Sequence, residues 1–211
     1  MSGDVAILGA GNVGQALAQR LVAAGASVRL GVRDPDAARA ALPPPLSAVP
    51  VGWPSAAAAG VEAIVVAVPA AAAEAAVRAC GDVRGVVVVD ATNPLRWDNG
   101  PVWAPPPAGS QAAALAAAFP GARVVKGFNH FGAEVQRHPR LDAGPVDAFF
   151  AGDDAAAKAL VLALAERMGF RPRDAGPLRN AALLENLAVL WIHLATTEGG
   201  RDFGFRTAPL A

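Results

Sequence analysis

The chain has 211 residues, with 18 Lys+Arg balanced by 18 Asp+Glu and an apolar content of 54% that is swollen by alanine. That length holds one large domain, or one domain with a small appendage. Zero net charge removes the basic footprint of a nucleic-acid binder, and no uncharged apolar run nears the ~20 residues that cross a bilayer.

Val5–Leu8 reads as a buried strand of a parallel sheet. Gly9-Ala10-Gly11-Asn12-Val13-Gly14 follows and opens a helix through Ala24, ended by Gly25. Ser27–Val32 is the next strand. A glycine-rich GxGxxG run between strand and helix is where a dinucleotide site needs it. Gly9 permits the tight turn, Gly11 lets a pyrophosphate approach the backbone, and Gly14 lets helix and sheet pack closely. The free N–H groups at the helix start, around Asn12 and Val13, then hold the anion. The plain alternative is an ordinary glycine-rich turn.

The end of the second strand selects the cofactor. An NAD site places Asp or Glu there for the ribose 2′-OH, whereas this chain has Val32-Arg33. A guanidinium pairs with a 2′-phosphate. Asp34-Pro35 reads as a helix N-cap followed by proline at the first helical position. Arg33 therefore faces the ribose, and the expected cofactor is NADP(H). Arg39, one turn into that helix, reaches for the same phosphate or is a solvated surface charge.

Strands and helices continue to alternate. Pro35–Leu42 is a short helix stopped by three prolines, Val49–Val51 a weak strand and Ser55–Ala59 a weak helix. Ala63–Val68 is a strong strand, followed by a helix from Ala70 to Cys80. Val86–Asp90 is another central strand, and Asn93–Gly109 an irregular stretch. A helix over Ser110–Ala118, a strand over Arg123–Lys126, a strand over Asp147–Ala151, a helix over Asp153–Met168 and a strand over Phe170–Arg173 follow. The last element is a helix over Asn180–Thr196. This alternation is the mark of an α/β protein with a Rossmann-type doubly wound, mostly parallel sheet. The expected division is a nucleotide-binding domain over residues 1–145 and a C-terminal helical and αβ extension over 146–211.

Sites in such sheets lie at the carboxyl ends of the strands. Val68-Pro69 leaves the sheet near the adenine or ribose. Thr92 and Asn93 follow the fifth strong segment, and Asn129 follows Lys126. These three orient the nicotinamide side or a bound ring. Alternatively, Asn93-Pro94 is only a turn and Asn129 only a helix cap. His130, between Phe128 and Phe131, is a candidate acid or base because its ordinary pKa of ~6.5 suits proton transfer; the alternative is that it merely lines a pocket.

Cys80 is the single cysteine, which excludes an intramolecular disulfide and suits a reducing, cytoplasmic compartment. The N-terminus shows no basic segment followed by an apolar core. Three scattered histidines without HxxxH or CxxC spacing predict no metal site. The absence of tyrosine excludes a tyrosine-lysine reductase mechanism, leaving Lys126, His130 or water as the acid for a carbonyl or imine. In the terminal helix, Leu183, Leu184, Leu187, Leu190, Trp191 and Leu194 form an apolar stripe. Ala188, Val189, Ile192 and Ala195 extend it around the helix. Burial of that surface in a homodimer, anchored by Trp191, is expected; burial within one subunit is the alternative.

Four segments carry a family resemblance: VAILGAGNVGQALAQRLVAAG (5–25), GVRDP (31–35), VVKGFNHFG (124–132) and the tail from Phe149 to Ala195 containing DAGPLRNA. Together they resemble the NADPH-dependent coenzyme F420 reductase family, a signature also found in the cytoplasmic oxidoreductase domain of STEAP metalloreductases. The resemblance covers nearly the whole chain. It implies a Rossmann domain whose C-terminal portion folds over the cleft and helps form a dimer. It also implies direct hydride transfer between NADP(H) and a flavin or deazaflavin (F420) stacked on the nicotinamide. The chain departs from the family where Val32 replaces the Ser or Thr before Arg33, removing one hydroxyl contact to the 2′-phosphate. His130-Phe131 likewise replaces smaller residues. Three readings are carried forward: a redox enzyme with a flavin-like acceptor, a reductase of a small carbonyl or imine, and a non-catalytic NADP(H)-binding protein.

Overall fold

The computed structural model describes residues 4–208. One eight-stranded sheet runs through the protein. Its strands are β1 (Asp4–Leu8), β2 (Ser27–Gly31), β3 (Val51–Gly52), β4 (Ala63–Val66), β5 (Val87–Asp90), β6 (Arg123–Lys126), β7 (Asp147–Gly152) and β8 (Arg171–Asp174). They lie side by side in the order β8-β7-β6-β5-β4-β1-β2-β3. From β3 to β6 all pairings are parallel; Val5 faces Val28 on one side and Ala63 on the other. This is the Rossmann order, with the reversal point between β1 and β4. β7 then runs antiparallel to β6, joined through Ala151–Lys126 and Gly152–Val125, and β8 runs parallel to β7.

Successive residues of β1 serve opposite faces because side chains alternate along a strand. Val5 and Ile7 join Val65, Val89 and Val125 in one apolar layer, and Ala6 and Leu8 join Ile64, Val66 and Val88 in the other. The first layer is covered by α1 (Asn12–Ala23), α6 (Ala133–Arg137) and α7 (Ala155–Arg167), through residues such as Leu17, Val135 and Val161. The second is covered by α3 (Pro54–Ala58), α4 (Ala73–Arg78) and α5 (Gln111–Ala118), through Ala57, Val77 and Leu115. The short α2 (Pro35–Ala41) lies at the surface with no buried residue. Its start is capped as expected: Asp34 Oδ1 accepts from Ala37 N at 3.0 Å and Pro35 occupies the first turn.

Two segments differ from the sequence reading. Within the stretch expected to be irregular, Leu95–Trp97 and Pro101–Trp103 form an antiparallel hairpin. Its turn contains Asn99 at φ 50° and Gly100, the left-handed geometry that an Asn-Gly pair supplies. Between Gly132 and Pro145, α6 and a short pairing of Arg140–Leu141 with Gly144–Pro145 replace an unassigned loop.

The terminal helix α8 (Ala181–Thr197) is fastened within the subunit. Its Glu185 is fully buried and lies 3.1 Å from Lys126 Nζ, itself fully buried. Lys126 also reaches Asp90 Oδ2 at 2.9 Å and the Thr92 carbonyl at 2.5 Å. Glu185 further accepts from Gln111 N at 2.8 Å and Trp103 Nε1 at 2.9 Å. Trp191, expected as a dimer anchor, is instead 3% exposed; it stacks on Phe203 and donates to the Phe203 carbonyl at 2.9 Å. Its burial partner is the subunit's own tail.

His130 is a second correction. It is completely buried, wedged against Phe131 and Phe149, with Nε2 3.2 Å from the Asp147 carbonyl. Packed among these rings and held at the Asp147 carbonyl, it takes a core role. Burial pulls its pKa down to about 4; the Asp147 carbonyl opposes this and the nearby Lys126 charge adds to it. The native state thus keeps a neutral ring while the unfolded chain binds a proton below about pH 6.5. Stability from this site is full above pH 6.5 and falls as pH drops toward 4. Denaturant unfolding across that window should lose roughly 3 kcal/mol, at ~1.4 kcal/mol per pKa unit. His130→Asn should flatten the slope; an unchanged slope in the variant would exclude His130 as its source.

Candidate active site

The cleft is built where β1 and β4 diverge. β1 ends at Leu8 and the chain turns at Gly9, whose φ of +103° is a left-handed conformation. A Cβ there would lie 2.6 Å from the Ala67 carbonyl, and one on Gly14 would lie 2.1 Å from the Gly9 carbonyl. Both glycines are therefore demanded by packing within the turn. Gly11 differs: its φ is −76° and a Cβ would meet nothing within 4 Å. The fold leaves open space beside Gly11, at the edge of a cavity. Gly11 caps α1 without any side-chain hydrogen bond, so the leading N–H groups of this 12-residue helix remain available to an anion.

Two cavities flank that helix start. The first, about 580 Å³, is lined by Gly9 and Gly11, by Val32, Arg33 and Asp34 after β2, and by Val68 and Pro69 after β4. Asp34 Oδ1 is taken up by its capping bond to Ala37 N, and Arg33 stands beside it at the strand end. Arg33 is exposed and has no hydrogen-bond or ion-pair partner among the described residues. Arg39 is placed otherwise. Its Nη1 lies 2.9 Å from Asp36 and its Nη2 donates to the Val51 carbonyl at 3.0 Å, and it does not line the cavity. Arg39 braces α2 against β3.

The second cavity, about 500 Å³, begins at Asn12 and Val13 on the same helix start. Asn93 after β5 and Asn129 after β6 form its floor. The two amides clasp each other: Asn93 Nδ2 donates to the Asn129 carbonyl at 2.7 Å, and Asn129 Nδ2 donates to Asn93 Oδ1 at 2.9 Å. Asn129 Nδ2 also reaches the Leu184 carbonyl at 2.9 Å, which ties the clasp to α8. Asn129 caps no helix; α6 starts at Gly132 without a side-chain cap. Phe128 sits at φ 58°, a left-handed state costing a non-glycine residue about 1–3 kcal/mol. Gln136 Nε2 holds its carbonyl at 3.1 Å. Phe131, Trp191 and Ile192 add apolar walls, and Glu134 and Arg201, paired at 3.2 Å, stand beside them.

Thr92 does not join this floor. It is buried, and its hydroxyl and N–H both donate to Asp90 Oδ1, so its part is to close the Asp90–Lys126 cluster. Neither Lys126 nor His130 lines either cavity. Sequence reasoning missed Glu134, Gln136, Trp191 and Arg201 as cavity walls. α6 is five residues long, too short for a periodic signal, and the tail carrying Arg201 has no regular structure. Among the described residues, no three His, Cys, Asp or Glu side chains gather as metal ligands, and no helix is long and apolar enough to cross a membrane.

The family model for "NADP oxidoreductase coenzyme F420-dependent" matches residues 4–94. The crystal structure of a putative F420-dependent NADP-reductase from Arthrobacter sp. FB24 is 35% identical and superposes with a TM-score of 0.87, covering 98% of this chain and 100% of that one. A hypothetical protein from Sinorhizobium meliloti is 28% identical with a TM-score of 0.71, over 83% of this chain and 86% of its own. Metalloreductase STEAP3 of Rattus norvegicus is 34% identical over 189 residues, which is 88% of this chain and 36% of that protein. The chain thus spans little more than a third of that curated relative. A Rossmann sheet, a glycine turn opening on an anion-ready helix and full-length likeness to one reductase structure lead to one assignment: the chain belongs to the coenzyme F420-dependent NADP oxidoreductase family, whose members are enzymes of the reductase type.

Proposed function

We propose that the chain moves a hydride between NADP(H) and a flavin-like or deazaflavin acceptor such as coenzyme F420, in a reducing, cytoplasmic compartment. The observation that carries this reading is the pair of cavities meeting at the start of α1, one bordered by Gly11 and the other by Asn12. The first has an unpartnered guanidinium at its rim and the second has a floor of clasped amides under apolar walls. The open space at Gly11 fits a pyrophosphate, and Arg33 fits a 2′-phosphate. The nicotinamide supplies the hydride. The chain supplies orientation and a dry cleft, and positioning alone contributes ~7–11 kcal/mol to such reactions. Asn93 and Asn129 hold the reacting end, and Trp191 and Ile192, from α8, shield it. In this reading residues 1–145 bind the nucleotide, and the segment from 146 onward closes the acceptor end.

The reading includes a homodimer. With Trp191 engaged internally, the exposed face of α8 carries Leu183 (65% exposed) and Leu190 (47% exposed), with Leu187 and Leu194 half-buried beside them. Their spacing of four, three and four is the seam of a helix pair. Light scattering should find a dimer, and Leu190→Glu should shift it to a folded monomer; a monomeric wild type removes the proposal.

Arg33→Ala should weaken NADPH binding by about 10- to 100-fold, since a charge-assisted contact is worth roughly 1.5–3 kcal/mol, and leave NADH binding nearly unchanged. Equal losses for both nucleotides in a titration would overturn the cofactor assignment.

Gly11→Val should abolish nucleotide binding without loss of fold, because its side chain enters ligand space and its Cβ meets no protein atom within 4 Å. Wild-type NADPH affinity in a folded Gly11→Val variant would place the phosphates elsewhere.

A further inference from the structure

The wall of the second cavity carries an unbalanced set of hydrogen-bonding groups. Asn129 Oδ1, Gln136 Oε1 and Glu134 Oε2 are buried atoms without a hydrogen-bond partner among the described residues. Turning the amides round does not repair this. Asn129 Nδ2 already faces two oxygens, of Asn93 and Leu184, and Asn93 is fixed in turn by its own donation to the Asn129 carbonyl. Gln136 Nε2 faces the Phe128 carbonyl. Reversing either Asn129 or Gln136 would set oxygen against oxygen. Both side chains are nearly sealed, Asn129 at 4% exposure and Gln136 at 0%. A buried acceptor left unpaired is costly, and native proteins rarely tolerate two on one cavity wall without a partner.

We infer that these oxygens read the N–H edge of the hydride acceptor: the second cavity takes a ring bearing an imide or lactam N–H and discriminates against simple ketones and aldehydes. This rests on the proposed reading that the second cavity holds a flavin-like acceptor. It deepens that reading by naming the edge that is recognised and the residues that recognise it. A ketone brings no N–H to these oxygens and leaves them unpaired. The usual sources of a proton for carbonyl reduction are also out of reach. Lys126 is enclosed by Asp90, Glu185 and the Thr92 carbonyl, and His130 lies outside the cavity with burial holding it neutral. An imide N–H brings one donor to this set of free oxygens. Asn12 and Arg201, which also line this cavity, are the donors left for the carbonyls that flank it. Phe128, Phe131 and Trp191 offer the apolar faces a flat ring needs.

The probes are riboflavin and N3-methylriboflavin, which differ at one N–H. Each is titrated by flavin fluorescence into the full chain saturated with NADP+. Riboflavin should bind about tenfold or more tightly than its methylated analogue, the value of one well-made hydrogen bond in a buried site. In Gln136→Met that gap should shrink to about threefold or less, with NADPH affinity unchanged. Equal affinities in the wild type overturn the inference, and this comparison stands whether or not the variant folds. A gap that persists in folded Gln136→Met reports only the bulk of the methyl group and also overturns it. A parallel loss of NADPH affinity in the variant assigns the oxygens to the nicotinamide carboxamide and overturns it as well. If neither flavin binds while NADPH does, the flavin-like reading itself has failed and the inference falls with it. Binding of both without discrimination removes the inference alone.

Discussion

The amide floor of the second cavity depends on one buried ammonium. Lys126 Nζ, with no exposure to solvent, joins Asp90 at the end of β5 to Glu185 on α8. Such a cluster is tolerable only if its remaining lone pairs are met. Here Thr92 donates twice to Asp90, and Gln111 N and Trp103 Nε1 donate to Glu185. Five parts of the chain therefore converge on one set of charges: two strand ends, the hairpin, the start of α5 and the terminal helix. Losing one partner of such a cluster exposes the others to an uncompensated burial cost of about 3–5 kcal/mol. The geometry that follows is rigid. Asn93 is one residue beyond Thr92 and Asn129 is three beyond Lys126, so the amide floor is cast by the same contacts that hold α8.

The charged groups that line the second cavity, Glu134 and Arg201, are paired with each other. The fully buried charges, Asp90, Lys126 and Glu185, line neither cavity and act on the shape of the floor through Thr92 and α8. The Phe128 backbone is held in a costly conformation between Lys126 and the clasped asparagine. Its carbonyl is tied to Gln136, so the strain is supported from α6 on the side that packs against α1. The glycine turn is organised by different means: the side chains at Gly9 and Gly14 are absent because the turn has no room for them.

Much of this was legible in the sequence, for reasons that can be named. β1, β4 and β5 are continuous apolar runs because both their faces are covered, and such runs are hard to mistake. The glycine turn, the Asp34-Pro35 cap and the lone Arg33 are local signals within a few residues of each other. The hairpin was also signalled, by Asn99-Gly100 between Trp97 and Trp103, but its prolines masked it. What sequence did not disclose was which polar residues would be enclosed. His130 and Asn129 are adjacent, and successive residues past a strand end point in opposite directions, so one lines the cavity and the other fills the core. Trp191 was recognisable as a buried anchor, while the partner it meets, Phe203, lies in a tail without periodicity. Glu185 would have read as a surface charge on α8, because nothing local announces the lysine that meets it.

The sheet's outermost strands carry a consequence for how the protein behaves in a crowded solution. An open sheet presents two rows of unpaired backbone groups, and these are templates for pairing with other chains. At one end, β3 is two residues long and is preceded by Pro50, which leaves almost no length to recruit a strand. At the other end, β8 reads Arg-Pro-Arg-Asp: the proline removes a donor and the charges resist dehydration. β8 exists only because β7 reverses direction and carries the sheet beyond β6. The C-terminal segment thus acts as a blunt end-piece for a central sheet whose own strands, rich in valine and isoleucine, would otherwise be prone to aggregate.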